Sequence, residues 1–348
     1  MLRPAVGCMF AVALLLPTAA IADPIALKLS FFTSDQSVAY QAAVKPFVDA
    51  VNHDGNNLLH IDVYLSGSLD GVQNELPQLV LDGKADIAFI VPEQNPERFR
   101  NTAAIEMPGL FRDAREASLV YTRLIAGHAL PGYDDFFVVG AYGTAPEIIN
   151  SRKNLTTLVD LKGQKIRVNN LTEAAALAKL GALPVVLAFN ATSPAISGGL
   201  IDGATAPPAQ LFDVGIGRLT TFHYLLPTST APLALVMNRK VFDGLPENGK
   251  ALIRKYSGEW TANQFSEVYA KFNEQGLEQL KTDSRRSVVV ASAVDLKTAN
   301  DAFKSVNDGW AAEDQQNLVL ASLVQAELGR LRDREKAART ETKRDDEN

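Results

Sequence analysis

The chain has 348 residues, of which 47% are hydrophobic, and its 34 basic and 40 acidic side chains give a formal net charge of −6. The length predicts two domains. The acidic balance argues against nucleic acid or an anionic membrane surface as the main partner. With one cysteine and four histidines the chain has no zinc-type ligand cluster by spacing, so we expect neither a metal site nor a cofactor.

Residues 1–22 have the pattern of a secretory signal peptide. Arg3 supplies the basic start, residues 6–16 the apolar core, and Ala20-Ile21-Ala22 the cleavage site. The apolar run is short for a membrane span, and an uncleaved anchor is the alternative. The only cysteine, Cys8, lies in this leader, so we expect an exported chain that folds without disulfides.

After the leader, strands and helices alternate as in an α/β domain, and a second domain of the same kind follows. Apolar runs and helical spacing predict strands over 25–32, 60–65, 85–91, 136–142, 165–168, 184–188, 234–238 and 287–291, and helices over 37–51, 74–81, 114–126, 171–180, 246–281 and 294–328. The first five elements, in βαβαβ order, favour a parallel sheet. Gly258 is a candidate break in the helical stretch 246–281, whose second part would be ~34 Å long.

Two crossings divide the chain, at the polar, irregular stretch 144–160 and at 228–233. The predicted units are a leader (1–22), domain I (23–142 with 232–272), domain II (143–231 with 273–330) and a charged, disordered tail (331–348). Two α/β domains joined in this way have a cleft between them, and small ligands bind in such clefts.

Arg167 is the residue that points to a ligand. It lies in an apolar, β-branched run that reads as a buried strand, and arginine is seldom fully buried without an anion partner. Its planar guanidinium matches a carboxylate. A structural salt bridge, for example to Asp160 or Glu173, is the alternative.

No catalytic constellation is present in the sequence. It contains no nucleophile elbow, no phosphate-binding Walker motif, no HExxH and no complete dinucleotide fingerprint. His223, within an apolar run, is interpreted as a partly buried structural histidine. We therefore expect a binding protein rather than an enzyme.

Several segments together resemble the solute-binding proteins of TRAP (tripartite ATP-independent periplasmic) transporters, the DctP-type family. The matching segments, in chain order, are LSGSLDG, LDGKADIAF, MPGLFRD, LKGQKIRV, LGALPV, GLIDGATAP and LVMNRKVFDGLP. The resemblance implies two α/β domains of the type II-like periplasmic binding fold, a long helix spanning both, and closure around a small organic acid. It also implies a periplasmic receptor that delivers its ligand to the small and large TRAP membrane subunits, with Arg167 as the carboxylate anchor.

The departures from the family pattern are informative. Ala145 stands where many sialate- and dicarboxylate-type members have a second arginine, and Ala206 replaces the asparagine of DGxENP. Phe32 matches an asparagine and Val91 a glutamate, whereas the family's phenylalanine is kept as Phe189. A buried hydroxyl without a hydrogen-bonding partner costs ~1–3 kcal/mol, so the resemblance predicts an apolar or aromatic monocarboxylate as the ligand.

Three further residues are weaker candidates for this ligand site. They are Asn169, Thr205 and Tyr142. A sugar acid or a dicarboxylate is the alternative ligand, and a sensor kinase is the alternative partner.

Overall fold

A computed structural model describes residues 24–55, 57–69 and 71–346. The predicted leader lies outside the described residues. The described residues form two β-sheets and the helices that cover them. In chain order the strands are β1 (Ile25–Ser30), β2 (Leu59–Tyr64), β3 (Ile87–Ile90), β4 (Phe136–Gly143), β5 (Ile148–Ser151), β6 (Lys165–Val168), β7 (Leu183–Val186), β8 (Gly203–Ala206), β9 (Phe222–Leu225), β10 (Pro232–Asn238) and β11 (Ser287–Val290). The helices are α1 (Lys45–Gly55), α2 (Leu76–Leu81), α3 (Ala114–Ala126), α4 (Leu171–Lys179), α5 (Thr192–Ser197), α6 (Ile216–Leu219), α7 (Arg239–Gly244), α8 (Glu247–Lys255), α9 (Glu259–Thr282), α10 (Ala293–Glu313) and α11 (Gln315–Asp346).

Domain I is built on a sheet of strand order β2-β1-β3-β10-β4. The parallel arrangement predicted from the βαβαβ order holds for its first three strands, since β1 runs parallel to both β2 and β3. Strand β10 then enters between β3 and β4 and is antiparallel to both. All seven residues of β10 are buried, as expected for a strand in the middle of a covered sheet.

Domain II is built on a sheet of order β11-β9-β5-β8-β6-β7. The stretch 144–160 was expected to be irregular, but it contains β5, a fully buried strand that is antiparallel to β8 and β9. Its polar Asn150 is satisfied internally, because its amide donates to the Ile148 carbonyl at 2.9 Å and its Oδ1 lies 2.8 Å from His223 Nδ1. Tertiary partners therefore allow a polar sequence to form a central strand.

The two crossings lie side by side between the domains. Thr144 N donates to the Ala231 carbonyl at 3.1 Å, and Glu147 N donates to the Ser229 carbonyl at 2.9 Å. The Thr228 amide returns a bond to the Glu147 carbonyl at 2.9 Å. The crossings thus form a hydrogen-bonded pair of segments at which the domains join.

Helix α9 spans both domains, and it begins after Gly258, where the sequence predicts a break. Its first half packs Phe265 and Tyr269 into the domain I core, and its second half packs Leu280 into the domain II core. A Cβ at Gly276 would overlap the Pro208 carbonyl oxygen of domain II. Glycine at this position allows the helix to approach that backbone closely.

The C-terminal helices correct two predicted boundaries. Helix α10 packs Phe303 into domain II, but α11 returns to domain I, where its Val324 and Leu331 are buried in the core. The segment 273–330 is therefore not wholly part of domain II. The prediction of a disordered tail is also wrong for residues 331–346, which continue α11.

Charge pairing attaches the first residues of this tail to domain I. Arg332 donates to both carboxylate oxygens of Glu116 on α3 at 2.8 Å, and Glu335 accepts from Arg112 and Arg115 at 2.8 and 2.6 Å. Composition alone predicts that this charged segment is solvated, but these side chains pair with oppositely charged side chains of domain I. None of the helices formed by the described residues is long and apolar enough to span a membrane.

Candidate functional site

A cavity of about 350 Å³ lies between the domains, beside the two crossings. Domain I contributes β3 and the segments that follow β1, β2 and β3, domain II contributes those that follow β6, β7 and β8, and the crossings with β10 supply the remainder. The lining residues from the crossings and β10 are Thr144, Glu147, Ala231 and Leu233. Because strand ends from both sheets meet here, the cavity occupies the position at which two-domain α/β proteins bind small molecules.

Aromatic and aliphatic side chains form much of its wall. Phe32 and Phe89 come from domain I, with ring centroids 6.1 Å apart, and Val91 lies two residues beyond Phe89 in the chain. Phe189 and Phe212 come from domain II. Flat walls contributed from both sides suit a flat apolar body.

Arg167 is completely buried and lies next to Phe189, which lines this cavity. Its Nε donates to the Leu187 carbonyl at 2.8 Å, and its Cζ lies 5.4 Å from the centroid of the Phe189 ring. Neither Nη1 nor Nη2 has a hydrogen-bond partner among the described residues. The guanidinium therefore has unused donors on the side that is suited to a carboxylate.

The two partners considered for a structural salt bridge are engaged elsewhere. Asp160 accepts from Thr156 and Thr157 at the start of a 3-10 turn. Glu173 accepts from Thr228 Oγ1 at 2.6 Å and from Thr205 Oγ1 at 3.0 Å. Neither carboxylate forms a direct ion pair with Arg167.

Buried and half-buried glutamates lie around the arginine without hydrogen bonding to it. Glu147 is 1% exposed and lines the cavity, where its Oε1 accepts from Asn169 Nδ2 and its Oε2 has no partner among the described residues. Glu93 also lines the cavity, and its Oε2 is likewise unpartnered within the described chain. Glu106 is buried nearby.

Burial and mutual repulsion shift the protonation of these groups. Desolvation, with the Glu173 charge adding to it, raises the pKa of Glu147 to about 8. Desolvation likewise raises the pKa of Glu106 to about 8, and it raises the pKa of Glu93 well above the usual range of a carboxyl. One arginine among several carboxyls cannot hold them all ionised in a poorly solvated site.

Asp213 joins the two domains across the cavity. Its Oδ2 accepts from the Val38 amide at 3.1 Å, although Val38 belongs to domain I and Asp213 to domain II. Desolvation by the surrounding walls raises the pKa of Asp213 to about 6.

Four of the residues predicted for the site line the cavity: Phe32, Val91, Asn169 and Phe189. Arg167 itself does not line the cavity, although Asn169 and Phe189, which lie next to it, do. Thr205 is buried, and its hydroxyl donates a hydrogen bond to the Glu173 carboxylate. Ala145 and Ala206 are buried and do not line the cavity.

Tyr142 requires a correction. We predicted that it could face the cleft, but it is buried between the Phe89 and Phe265 rings, at centroid distances of 6.4 and 4.7 Å. Thr144, two residues further along the chain, reaches the cavity instead.

Sequence reasoning missed Glu93, Glu147, Phe212 and Asp213. Glu147 stands in the GTAPE segment of the first crossing, and its place between two domains was the available signal. His223, interpreted from sequence as a partly buried structural histidine, is fully buried, and its Nδ1 lies 2.8 Å from Asn150 Oδ1. Within the part of the chain that the structure describes, no cluster of three or more histidine, cysteine or acidic residues could hold a metal ion.

Comparisons with known proteins agree on one family. The model of the family described as bacterial extracellular solute-binding protein, family 7 (DctP) matches residues 29–314. A C4-dicarboxylate-binding periplasmic protein of Rhodobacter capsulatus is 25% identical over 307 residues, which cover 86% of this chain and 91% of that protein. A 2,3-diketo-L-gulonate-binding periplasmic protein of Escherichia coli is 25% identical over 315 residues, 86% of this chain and 90% of that protein.

Solved structures share the fold. A marine metagenome TRAP solute-binding protein specific for aromatic acid ligands, in complex with metahydroxyphenylacetate, superposes with a TM-score of 0.81 at 23% identity, covering 88% of this chain and 99% of that one. A TRAP solute-binding protein of Rhodoferax ferrireducens with copurified benzoate also gives 0.81, at 24% identity over 88% of this chain and 98% of that one. The predicted two-domain binding-protein fold is confirmed.

Proposed function

Because this chain belongs to family 7 of the bacterial extracellular solute-binding proteins, the DctP family of TRAP receptors, we propose that its ligand is a small aromatic monocarboxylate. The family consists of receptors for small carboxylates that work with TRAP permeases, and it is not a class of enzymes.

The unpartnered guanidinium of Arg167 is the observation that carries the proposal. A charge buried this completely is costly unless an anion meets it, and the free Nη1 and Nη2 atoms can form a bidentate pair with a carboxylate. Arg167 does not line the cavity, and the Phe189 ring lies beside it, so we expect this ring to move when a carboxylate reaches these atoms. Phe189 is only half-buried on a short 3-10 turn, which leaves room for that movement.

The walls and size of the cavity support an aromatic body. A volume of about 350 Å³ is at the small end of the roughly 300–1,000 Å³ typical of ligand pockets. Phe32, Phe189 and Phe212 offer ring faces from both domains, while Ala145 and Ala206 offer no second anchor for a dicarboxylate. The aromatic acids bound by the two solved relatives are consistent with this ligand class.

A sugar acid is the second candidate, and specific residues favour it. Amide side chains also line the cavity, among them Gln36, Gln73, Gln94 and Gln210. Amides can satisfy ligand hydroxyls, which phenyl rings cannot.

We also propose that residues 1–22 direct the chain to the periplasm and that its partners are the small and large TRAP membrane subunits. A sensor kinase remains the alternative partner. Pull-down of the receptor with each candidate membrane protein in detergent, with and without ligand, distinguishes the two.

A thermal-shift panel tests the ligand class on the purified mature chain. Benzoate, 3-hydroxybenzoate, succinate and L-gulonate are titrated, because a true ligand raises the melting temperature with concentration. The expected order places the two aromatic acids first. A largest shift with succinate or gulonate contradicts the aromatic assignment.

Matched variants test the anchor. Arg167→Ala removes a charge-assisted contact of ~1.5–3 kcal/mol and should weaken binding by more than tenfold. Arg152→Ala is the control, since Arg152 pairs with Asp202 in the same domain away from the cavity. Full affinity in Arg167→Ala would show that another group holds the carboxylate.

A further inference from the structure

Two glutamates that line the cavity each have one carboxyl oxygen without a hydrogen-bond partner in the described part of the chain. The Oε2 atoms of Glu147 and Glu93 are buried and have no hydrogen-bond partner among the described residues. An ionised carboxylate only accepts hydrogen bonds, so it would repel a ligand carboxylate placed beside it. A protonated carboxylic acid, in contrast, has an O–H to donate.

Glu147 is the better placed of the two. The Asn169 amide holds its Oε1, which fixes the carboxyl and leaves Oε2 as its free atom. Glu147 also stands in the first crossing, and its backbone pairs with Ser229 and Thr228 of the second crossing. A ligand that bonds to Glu147 therefore touches the point at which the domains join.

The charged groups that face Glu147 decide whether its carboxyl group is ionised or neutral. Arg167 approaches from β6, Glu173 from α4, Glu93 and Glu106 from the turns that follow β3, and Tyr269 from α9. Burial raises the pKa of Glu173, but the hydrogen bonds that it accepts on both oxygens and the Arg167 charge act in the opposite direction and favour its ionised form, without a direct ion pair. Among these described neighbours, no second cation offsets an ionised Glu147.

We propose that Glu147, as a neutral carboxylic acid, donates a hydrogen bond from Oε2 to the carboxylate of the bound ligand and is a specificity-determining residue of the site. The proposal rests on the proposed function, since it requires an anionic ligand. The proton stays on Glu147 or is shared with the ligand oxygen, and no bond other than this hydrogen bond forms or breaks. A neutral or cationic analogue would gain no charge-assisted bond from this donor.

The pH dependence follows from this protonation. Burial raises the pKa of Glu147 to about 8, so below that value the donor is present before the ligand arrives. Above it, binding has to take up a proton. Affinity should therefore be level from pH 6.5 to about 8 and then fall up to tenfold for each further pH unit.

Isothermal titration with sodium benzoate between pH 6.5 and 9.5 tests the proposal, because benzoate is fully ionised throughout. At pH 9, two buffers of different ionisation enthalpy should give different binding heats for the wild-type chain, which reports proton uptake without any variant. In Glu147→Gln, whose side-chain amide keeps a donor and cannot titrate, affinity at pH 7 should stay within a few-fold and the fall above pH 8 should disappear. Asp301→Asn, a control on an exposed ion pair of α10 outside the cavity, should keep that fall.

The outcomes are separable. Equal heats in the two buffers together with a level affinity to pH 9.5 would overturn the proposal, as would an unchanged fall in Glu147→Gln. If benzoate binds at no pH, the aromatic assignment fails instead. The same titration with succinate or gulonate, whichever stabilises the chain, then decides the role of Glu147.

Discussion

The Val38 amide of domain I donates a 3.1 Å hydrogen bond to Asp213 of domain II, beside the cavity that the two domains enclose. This contact exists only when the domains are close together, and it involves a group whose pKa is raised from 3.8 to about 6. The relative position of the domains is therefore linked to pH at this point.

Neutralising Asp213 should favour the closed arrangement. Because the pKa of Asp213 is raised when the domains meet, the closed form binds more protons between pH 4 and 6, and closure is favoured as pH falls through that window. Asp213→Asn should remove this dependence, so that its radius of gyration by small-angle scattering is equal at pH 4.5 and pH 7. The control Asp301→Asn, on an exposed ion pair of α10, should behave as the wild type. A pH-dependent radius in Asp213→Asn would contradict the assignment.

Replacing Phe32 should weaken binding of an aromatic acid. Phe32→Leu keeps an apolar side chain and loses one ring face, an interaction of ~0.5–1.5 kcal/mol, so benzoate affinity should drop by about 2- to 12-fold. Phe272→Leu is the matched control, because Phe272 is also half-buried against the domain I core and does not line the cavity. Calorimetry with benzoate on both variants makes the comparison, and an equal loss in the two would count against a ligand at Phe32.

A methyl group at position 276 should loosen the attachment of α9 to domain II. The new Cβ would overlap the Pro208 carbonyl oxygen, and overpacking of this kind costs ~1–3 kcal/mol. Gly276→Ala should lower the melting temperature. Gly309→Ala is the control in α10, where the new Cβ meets open space and helix propensity alone should stabilise the chain by up to ~1 kcal/mol. Stabilisation by both substitutions would exclude close packing at residue 276.

Arg332→Gln should release the end of α11 from domain I. The substitution takes two hydrogen bonds from Glu116, whose side chain is 1% exposed, at a cost of ~1–3 kcal/mol. Arg330→Gln, two residues away, affects only a pair with Glu327 on the same helix and should cost less than ~0.5 kcal/mol. Hydrogen exchange should quicken in α11 for the first variant and not for the second.

The effect of Arg332→Gln should also depend on pH. Burial alone would raise the pKa of Glu116, but the bonds from Arg332 and Arg112 outweigh it and lower that pKa below the usual 4.5. The stabilisation is therefore present above pH 4.5 and is lost as pH falls through the lowered value. The difference in melting temperature between wild type and Arg332→Gln should be largest near pH 7 and should shrink in acid. A constant difference would point to packing rather than charge.

Local pattern was sufficient for much of the fold. Helix α3 and strand β6 have the predicted bounds, because their apolar spacing is set within the segment itself. Strand β5 and the end of α11 were missed for the opposite reason. Asn150 and Arg332 look solvent-exposed in sequence and are satisfied by partners more than 50 residues away.

The candidate site shows the same difference between residues that local pattern indicates and residues that only the folded structure reveals. Arg167 stood out because a charge in an apolar strand is unusual, and the family pattern then indicated Phe32, Val91 and Phe189. Glu93 and Glu147 gave no comparable signal, since a single glutamate in a loop is ordinary. Their importance comes from their place beside the cavity and from the desolvation and neighbouring glutamate charges that raise the pKa of each, and these exist only after the domains fold together.

The position of β10 in the sheet of domain I determines when during synthesis this sheet can be completed. This strand lies between β3 and β4, yet residues 144–231, most of domain II, separate it from β4 in the chain. Domain I cannot complete its sheet until the ribosome has released residue 238, and pairings that span so much sequence form slowly. The sheet of domain I is therefore completed late in synthesis, only after the strands β5 to β9 of domain II have been made.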